Sequence, residues 1–150
     1  MRFTSEQRLD DGVVQREFVL GEIPGTLWTP ESASASAPVP LILMAHNNGL
    51  SKSQPRLVAR GRYTAAYGYA VAAIDAAGCG DRPRSAADDR IRADLRRAMQ
   101  AGEPVDEIFE SLVGPLVEKA APEWRTALDA VLALPEVGGP VGFSGWMALG

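Results

Sequence analysis

The residues at the carboxyl end of the sequence, VGFSGWMALG (141–150), place a serine between glycines directly after an apolar run. A Gly-x-Ser-x-Gly turn presents a nucleophilic serine at the end of a strand, because only small neighbours fit where strand and helix come close. Gly142 and Ser144 match that pattern, whereas Trp146 stands where a small residue is needed. Ser144 is therefore a candidate nucleophile for acyl transfer, and a serine in an ordinary glycine turn is the alternative.

A second polar segment, His46-Asn47-Asn48-Gly49, follows the apolar run LILMA (41–45). A glycine-containing turn after a buried strand can direct backbone N–H groups at one point, where they stabilise a developing oxyanion. A plain turn is the alternative, with His46 capping the strand and the asparagines tolerating left-handed φ. His46 is also the single histidine of the sequence, so chemistry that needs a histidine base has one candidate in this chain.

The third polar segment is DAAGCGDRPRS (75–85). Its Gly78-Cys79-Gly80 is similar to a dinucleotide-binding loop but lacks the third glycine, so we expect no nucleotide cofactor. Cys79 is either a nucleophile or a small residue in a tight loop. Asp75 could bind a metal together with Asp81, but we expect it to anchor the loop by accepting backbone N–H bonds. We therefore expect no metal and no cofactor.

Composition excludes several classes of protein. The 150 residues are enough for one domain, covering 1–150. A formal net charge of −4 gives no basic footprint for nucleic acid, and no apolar run reaches the roughly 18 residues of a membrane span. The polar N-terminus carries no signal-peptide core, and the single cysteine fits a reducing compartment. We expect a cytoplasmic protein with no nucleic-acid or membrane partner.

The hydrophobic pattern alternates strands and helices, which predicts an α/β fold. We predict strands at 13–22, 24–30, 41–45, 69–78 and 138–143, and helices at 55–67, 81–101, 105–120 and from Pro122 onward. The fold class expected is a mainly parallel sheet with an antiparallel N-terminal hairpin and helices on both faces. Chemistry in such sheets lies beyond the carboxyl ends of the strands, and all three polar segments stand at those ends.

Together, PLILMAHNNG, YGYAVAAIDAAGCGDRPRS and PEWRTALDAVLALPEVGGPVGFSG resemble the N-terminal half of an α/β-hydrolase. The resemblance covers roughly residues 14–150 and is closest to the dienelactone-hydrolase and prolyl-oligopeptidase-like esterase group. It implies a serine hydrolase acting on carboxylic esters or related small acyl substrates. The family's H-G-G-G oxyanion turn corresponds to residues 46–49, which implies that His46, Asn48 and Gly49 belong to the binding turn. The backbone N–H groups of Asn47 and Gly145 would then hold the oxyanion.

Two registers are open for the nucleophile. In one register Ser144 is the nucleophile. In the other, which aligns the segment with relatives without gaps, Gly145 is the first glycine of the elbow and Met147 stands at the position of the nucleophile. The triad order in this family is serine, acid, histidine, yet no histidine follows residue 46. The resemblance therefore implies a domain truncated after its fifth strand, with the triad acid and base absent from this chain.

Two further hypotheses remain beside the hydrolase. One is a catalytically inactive or degenerate hydrolase-like domain with a binding role, and the other is a self-contained α/β binding domain of flavodoxin-like size. An edge left open at 138–143 predicts oligomerisation through that strand.

Overall fold

The computed structural model describes residues 1–46 and 50–145. Within these ranges the strands are β1 (Arg2–Arg8), β2 (Val13–Leu20), β3 (Ile23–Pro30), β4 (Val39–Met44), β5 (Ala70–Ile74) and β6 (Val137–Ser144). The helices are α1 (Pro55–Ala66), α2 (Ala86–Ala101) and α3 (Asp106–Leu132). In the described part of the chain, no helix combines the length and apolarity needed to cross a bilayer.

The six strands form one mixed sheet in the order β1-β2-β3-β5-β4-β6. The hairpin of β2 and β3 is antiparallel, as predicted. The expectation of a mainly parallel sheet was wrong, because three of the five strand pairs are antiparallel, namely β1–β2, β2–β3 and β3–β5. The two parallel pairs are β4–β5 and β4–β6. Parallel neighbours need long crossover connections, and the chain makes such connections only through α1 and through α2 with α3.

Strand β1 is absent from the sequence prediction. All seven of its residues are exposed, so the strand lacks the alternation of buried and exposed side chains that a sequence pattern can show. It is held by its antiparallel pairing with β2 and by the Arg16 guanidinium, which lies 4.9 Å from the centre of the Phe3 ring. Backbone pairing rather than burial therefore places this strand.

Two of the helices differ from the prediction. Helix α2 begins at Ala86 rather than at residue 81, because Ser85 and Asp88 form a reciprocal capping box there. Helix α3 is continuous where we predicted two helices, and it contains both Pro115 and Pro122. A proline inside a helix costs about 3 kcal/mol. The apolar side of α3 continues past Pro122 onto the sheet, and that burial outweighs the cost.

Helices cover both faces of the sheet, as predicted. On one face Ala72 and Ile74 of β5 pack with Val131 of α3. On the other face Val71 packs with Leu57 of α1. The small side chains of β5 allow both helical layers to approach the strand closely.

Strand β4 lies where the direction of the connections reverses. The chain passes from β4 through α1 to β5 on one side, and it returns through α2 and α3 to β6 on the other side. Ligands bind α/β sheets in the crevice outside the carboxyl ends of strands at such a switch point. Here those ends are Met44 and Ser144, which are register partners.

The pairing of Phe18 with Gly25 across β2 and β3 yields a stability prediction. A Cβ at Gly25 would lie 2.1 Å from the buried Phe18 ring, so we expect Gly25→Ala to lower the free energy of unfolding by about 1–3 kcal/mol. The matched strand glycine is Gly142, where a Cβ would meet its nearest atom at 3.7 Å. Gly142→Ala should raise stability by about 0.5 kcal/mol. Urea unfolding measures both, and equal effects would contradict the packing argument.

Candidate active site

Ser144 is the last residue of β6. Its carbonyl oxygen accepts the Ala45 N–H at 2.9 Å, so the end of β6 is bonded directly to the residue before His46. Its Oγ accepts a hydrogen bond from Arg60 Nη2 of α1 at 2.7 Å. The structure therefore brings Ser144 beside the end of β4, as the strand order requires.

The surroundings of Ser144 limit what its hydroxyl does. A nucleophile elbow holds its serine in a strained turn, but among the described residues only glycines have positive φ, and Ser144 continues the extended strand. Arg60 donates to Oγ, and a guanidinium has no acceptor and keeps its proton. Arg60 therefore cannot act as the general base for Ser144.

The His46 side chain is almost completely buried, with 2% of its surface exposed. Its Nε2 accepts the backbone N–H of Ala76 at 3.1 Å and lies 3.9 Å from Asp75 Oδ1. An acceptor nitrogen carries no hydrogen, so this bond assigns the neutral imidazole with its proton on Nδ1. His46 thus holds the end of β4 against the end of β5, and Nε2 is already engaged.

Asp75 is fully buried at the end of β5. Its Oδ1 accepts the Lys52 N–H at 2.7 Å, and its Oδ2 accepts the Asp81 N–H at 3.1 Å. The prediction that Asp75 anchors the loop through backbone N–H bonds is confirmed. The Asp81 carboxylate instead contacts Lys52 Nζ at 3.2 Å. Within residues 1–46 and 50–145, no group of three or more His, Cys, Asp or Glu side chains is placed to hold a metal.

Sequence reasoning did not find the buried Lys52. Its Nζ lies 3.2 Å from Glu17 Oε2 and 3.2 Å from Asp81 Oδ2, and Glu17 also accepts the Thr26 hydroxyl at 2.9 Å. Burial alone would lower the pKa of Lys52, but attraction to Glu17 and the hydrogen bonds of Asp81 and Glu17 raise that pKa above its ordinary value. Lys52 therefore stays charged. Its only sequence signal is that it is the one charged residue between His46 and Arg56.

The loop after β5 is also tied to α3. Arg82 binds Glu123 with both guanidinium nitrogens, at 2.6 and 2.9 Å, and the pair is largely buried. Fork-to-fork pairing of this kind fixes orientation as well as distance. Cys79 lies in the same loop and is buried, with 4% of its surface exposed. That burial favours a small residue in a tight loop over a reactive thiolate.

Gly145 follows β6 at an exposed position. A Cβ there would lie 2.9 Å from the exposed Phe143 ring and 3.5 Å from Ala45 Cβ, so a larger residue would require that ring to shift. Asn47, Asn48 and Gly49 lie outside the described residues, as does Met147. The oxyanion role of Asn47 and the choice between the two nucleophile registers therefore stay predictions.

No family model and no curated protein matches the chain. Among solved structures, it is similar to a cold-adapted esterase from an Arctic intertidal metagenomic library, seen in a PEG-bound complex. The TM-score is 0.64 at 23% identity, over 97% of this chain and 55% of that one. An acetyl xylan esterase from Paenibacillus sp. R4 gives a TM-score of 0.58 at 18% identity, over 96% of this chain and 44% of that one.

These likenesses show the fold. The mixed six-stranded sheet with its three helices has the same fold as the matching part of the two esterases. The chain spans about half the length of the two esterases.

The contact between Gly80 and Asp75 gives a prediction for the loop. A Cβ at Gly80 would lie 2.3 Å from the Asp75 carboxylate, whereas a Cβ at Gly78 would meet its nearest atom at 3.5 Å. Both glycines have positive φ, so an alanine at either position costs about 1 kcal/mol in backbone strain. We expect Gly80→Ala to cost at least about 1 kcal/mol more than Gly78→Ala. Thermal or urea unfolding of the two variants measures the difference, and its absence would show that Asp75 moves freely.

Proposed function

We propose that the chain provides the N-terminal half of a serine hydrolase for carboxylic esters or related small acyl substrates, of the dienelactone-hydrolase type. The proposal rests on the position of Ser144, which is hydrogen-bonded to the end of β4 at the switch point of the sheet. Solved esterases share this fold. Ester substrates would meet the sheet in the crevice beyond these strand ends.

In this proposal each residue of the edge has one role. The Ser144 oxygen attacks the ester carbonyl carbon, and the carbonyl oxygen becomes an oxyanion that the backbone N–H groups of Asn47 and Gly145 stabilise. Each such donor is worth about 3 kcal/mol. His46, Asn48 and Gly49 belong to the turn that lines the acyl group. The competing register makes position 147 the nucleophile site, and Met147 cannot attack a carbonyl.

The proton acceptor for Ser144 has to come from outside these 150 residues. His46 is the single histidine of the sequence, and its Nε2 already accepts the Ala76 N–H. A supplied histidine would take the serine proton and then protonate the leaving alkoxide, and an acid residue would orient that histidine. Water would release the acyl group by the same proton transfers in reverse.

A second candidate is a catalytically inactive hydrolase-like domain that binds an acyl ligand without cleaving it. The conformation of Ser144 favours it, because this serine lies in regular extended strand rather than in the strained turn that presents a nucleophile.

Sequencing the gene past codon 150 and assaying the product of the whole reading frame tests the proposal. We expect a later acidic residue followed by a histidine, hydrolysis of p-nitrophenyl acetate, and labelling of Ser144 by a fluorophosphonate. Ser144→Ala should lower kcat/KM at least about 10³-fold, because nothing replaces the nucleophile.

The matched control is Ser32→Ala, at an exposed serine of the β3–β4 loop, which should leave kcat/KM unchanged. A stop codon at position 151 together with no fluorophosphonate labelling would establish the inactive domain instead. Hydrolysis that survives Ser144→Ala would remove Ser144 from the reaction.

The outer edge of β6 predicts self-association of this chain. Ser144 directs its carbonyl to β4, so Phe143 and Val141 direct their backbone groups to the open edge, and both side chains are exposed.

We expect dimers or larger species in sedimentation velocity. Val141→Lys should shift the chain toward monomer, because a charged side chain on an edge strand opposes pairing. Val117→Lys, at an exposed position on α3, introduces the same charge away from the strand and should not change the distribution. A chain that is monomeric without any substitution would contradict the prediction.

A further inference from the structure

Both ends of segment 46–52 are bonded to two consecutive residues at the end of β5. At the first end, His46 Nε2 accepts the Ala76 N–H at 3.1 Å. At the second end, the Lys52 N–H donates to Asp75 Oδ1 at 2.7 Å. Because β4 and β5 are hydrogen-bonded neighbours, these bonds fasten the loop that leaves β4 to the adjacent strand. We name this pair of bonds the 75–76 clamp.

Asp75 is itself immobilised on three sides. Its N–H donates to the Pro24 carbonyl of β3 at 3.0 Å, and its second carboxylate oxygen accepts the Asp81 N–H at 3.1 Å. Its carbonyl lies 3.4 Å from an Arg82 nitrogen, and Arg82 is fixed to Glu123 of α3. The carboxylate that holds Lys52 is therefore a rigid reference point in the fold.

The Lys52 side chain strengthens the same attachment. Its Nζ contacts Glu17 of β2 and Asp81 of the β5–α2 loop, each at 3.2 Å. Residue 52 is thus fixed through its main chain by Asp75 and through its side chain by β2. A loop that was only solvated would need neither contact. Lys52 is buried, with 6% of its surface exposed, and because its ammonium stays charged it does not serve as a proton acceptor.

We propose that Asp75 is a positioning residue for ester cleavage, because with the Ala76 N–H it fixes where Lys52 and His46 lie and so holds both ends of the segment that contains the proposed oxyanion turn. This inference rests on the proposed function. Oxyanion donors work by being held in place before the charge develops, and a displacement of about 1 Å is enough to lose much of their effect. An aspartate suits the task because both of its oxygens accept, whereas an asparagine offers one acceptor.

The first test uses the unaltered chain and needs no activity. Hydrogen-bond scalar couplings in NMR should connect the Lys52 amide nitrogen to the Asp75 carboxyl carbon, and the Ala76 amide nitrogen to His46 Nε2. The Lys52 amide should exchange with solvent more slowly than the amides of the exposed 31–37 loop. Absent couplings together with fast exchange at Lys52 would overturn the clamp.

The second test compares Asp75→Asn with Asp94→Asn. Asp94 makes an exposed pair with Arg97 on α2, so it receives the same chemical change away from the loop. In Asp75→Asn we expect exchange at Lys52 to accelerate about tenfold or more, as for loss of a charge-assisted bond, with a smaller change at Ala72 in β5. An equal acceleration at all amides would mean that Asp75 acts only on global stability, which would overturn the positioning role.

The third test measures kinetics in the product of the whole reading frame. Oxyanion interactions are made in the transition state, so Asp75→Asn should lower kcat about 100-fold and leave KM within about twofold. A raised KM with unchanged kcat would overturn the positioning role. If the unaltered product does not cleave esters, the proposed function fails, and the couplings and exchange rates still decide whether the 75–76 clamp exists.

Discussion

The buried carboxylate of Asp75 is the constraint on which the candidate site depends. A charge taken fully out of water is tolerated only when hydrogen bonds replace its hydration. Here the Lys52 and Asp81 N–H groups do so, and each is a backbone donor of a loop that would otherwise leave the sheet. Hydrogen bonding to the Asp75 carboxylate therefore holds the loop after β4 and the loop after β5 at the carboxyl edge of the sheet. Residue 80 has to be a glycine for the same reason, because a Cβ added there would collide with the Asp75 carboxylate.

The sheet topology decides what those loops face. Since β4 lies between β5 and β6, the loop after β4 is held by β5 on one side and meets the end of β6 on the other. Helices α1 and α3 pack on opposite faces of the sheet. Arg60 of α1 reaches that edge and binds the Ser144 hydroxyl. The carboxyl edge is therefore tightly hydrogen-bonded at the end of β5, and at the end of β6 it carries a serine hydroxyl bound to a guanidinium.

The sequence predicted the elements whose side chains are buried and missed those that depend on distant partners. The apolar runs of β4 and β5 identify strands because helices cover both of their faces, whereas β1 has no buried side chain to mark it. Pro122 is a local signal to end a helix, but packing of α3 on the sheet overrides it. The anchoring role of Asp75 follows from its place after a strand. The burial of Lys52 does not, because it needs Glu17 from β2 and Asp81 from another loop.

The two candidate functions share one edge and differ in the state of one hydroxyl. A hydrolase needs the Ser144 proton to leave toward a base, and a guanidinium that donates to Oγ occupies a lone pair without accepting that proton. The same guanidinium would stabilise an alkoxide once a base had formed it, since opposite charges at this distance attract strongly. The Arg60 contact therefore favours neither function, and the presence or absence of a base for Ser144 distinguishes them. His46 cannot supply it without giving up the Ala76 bond that holds β4 to β5, so an active form of this fold must keep its structural histidine and its catalytic base as separate residues.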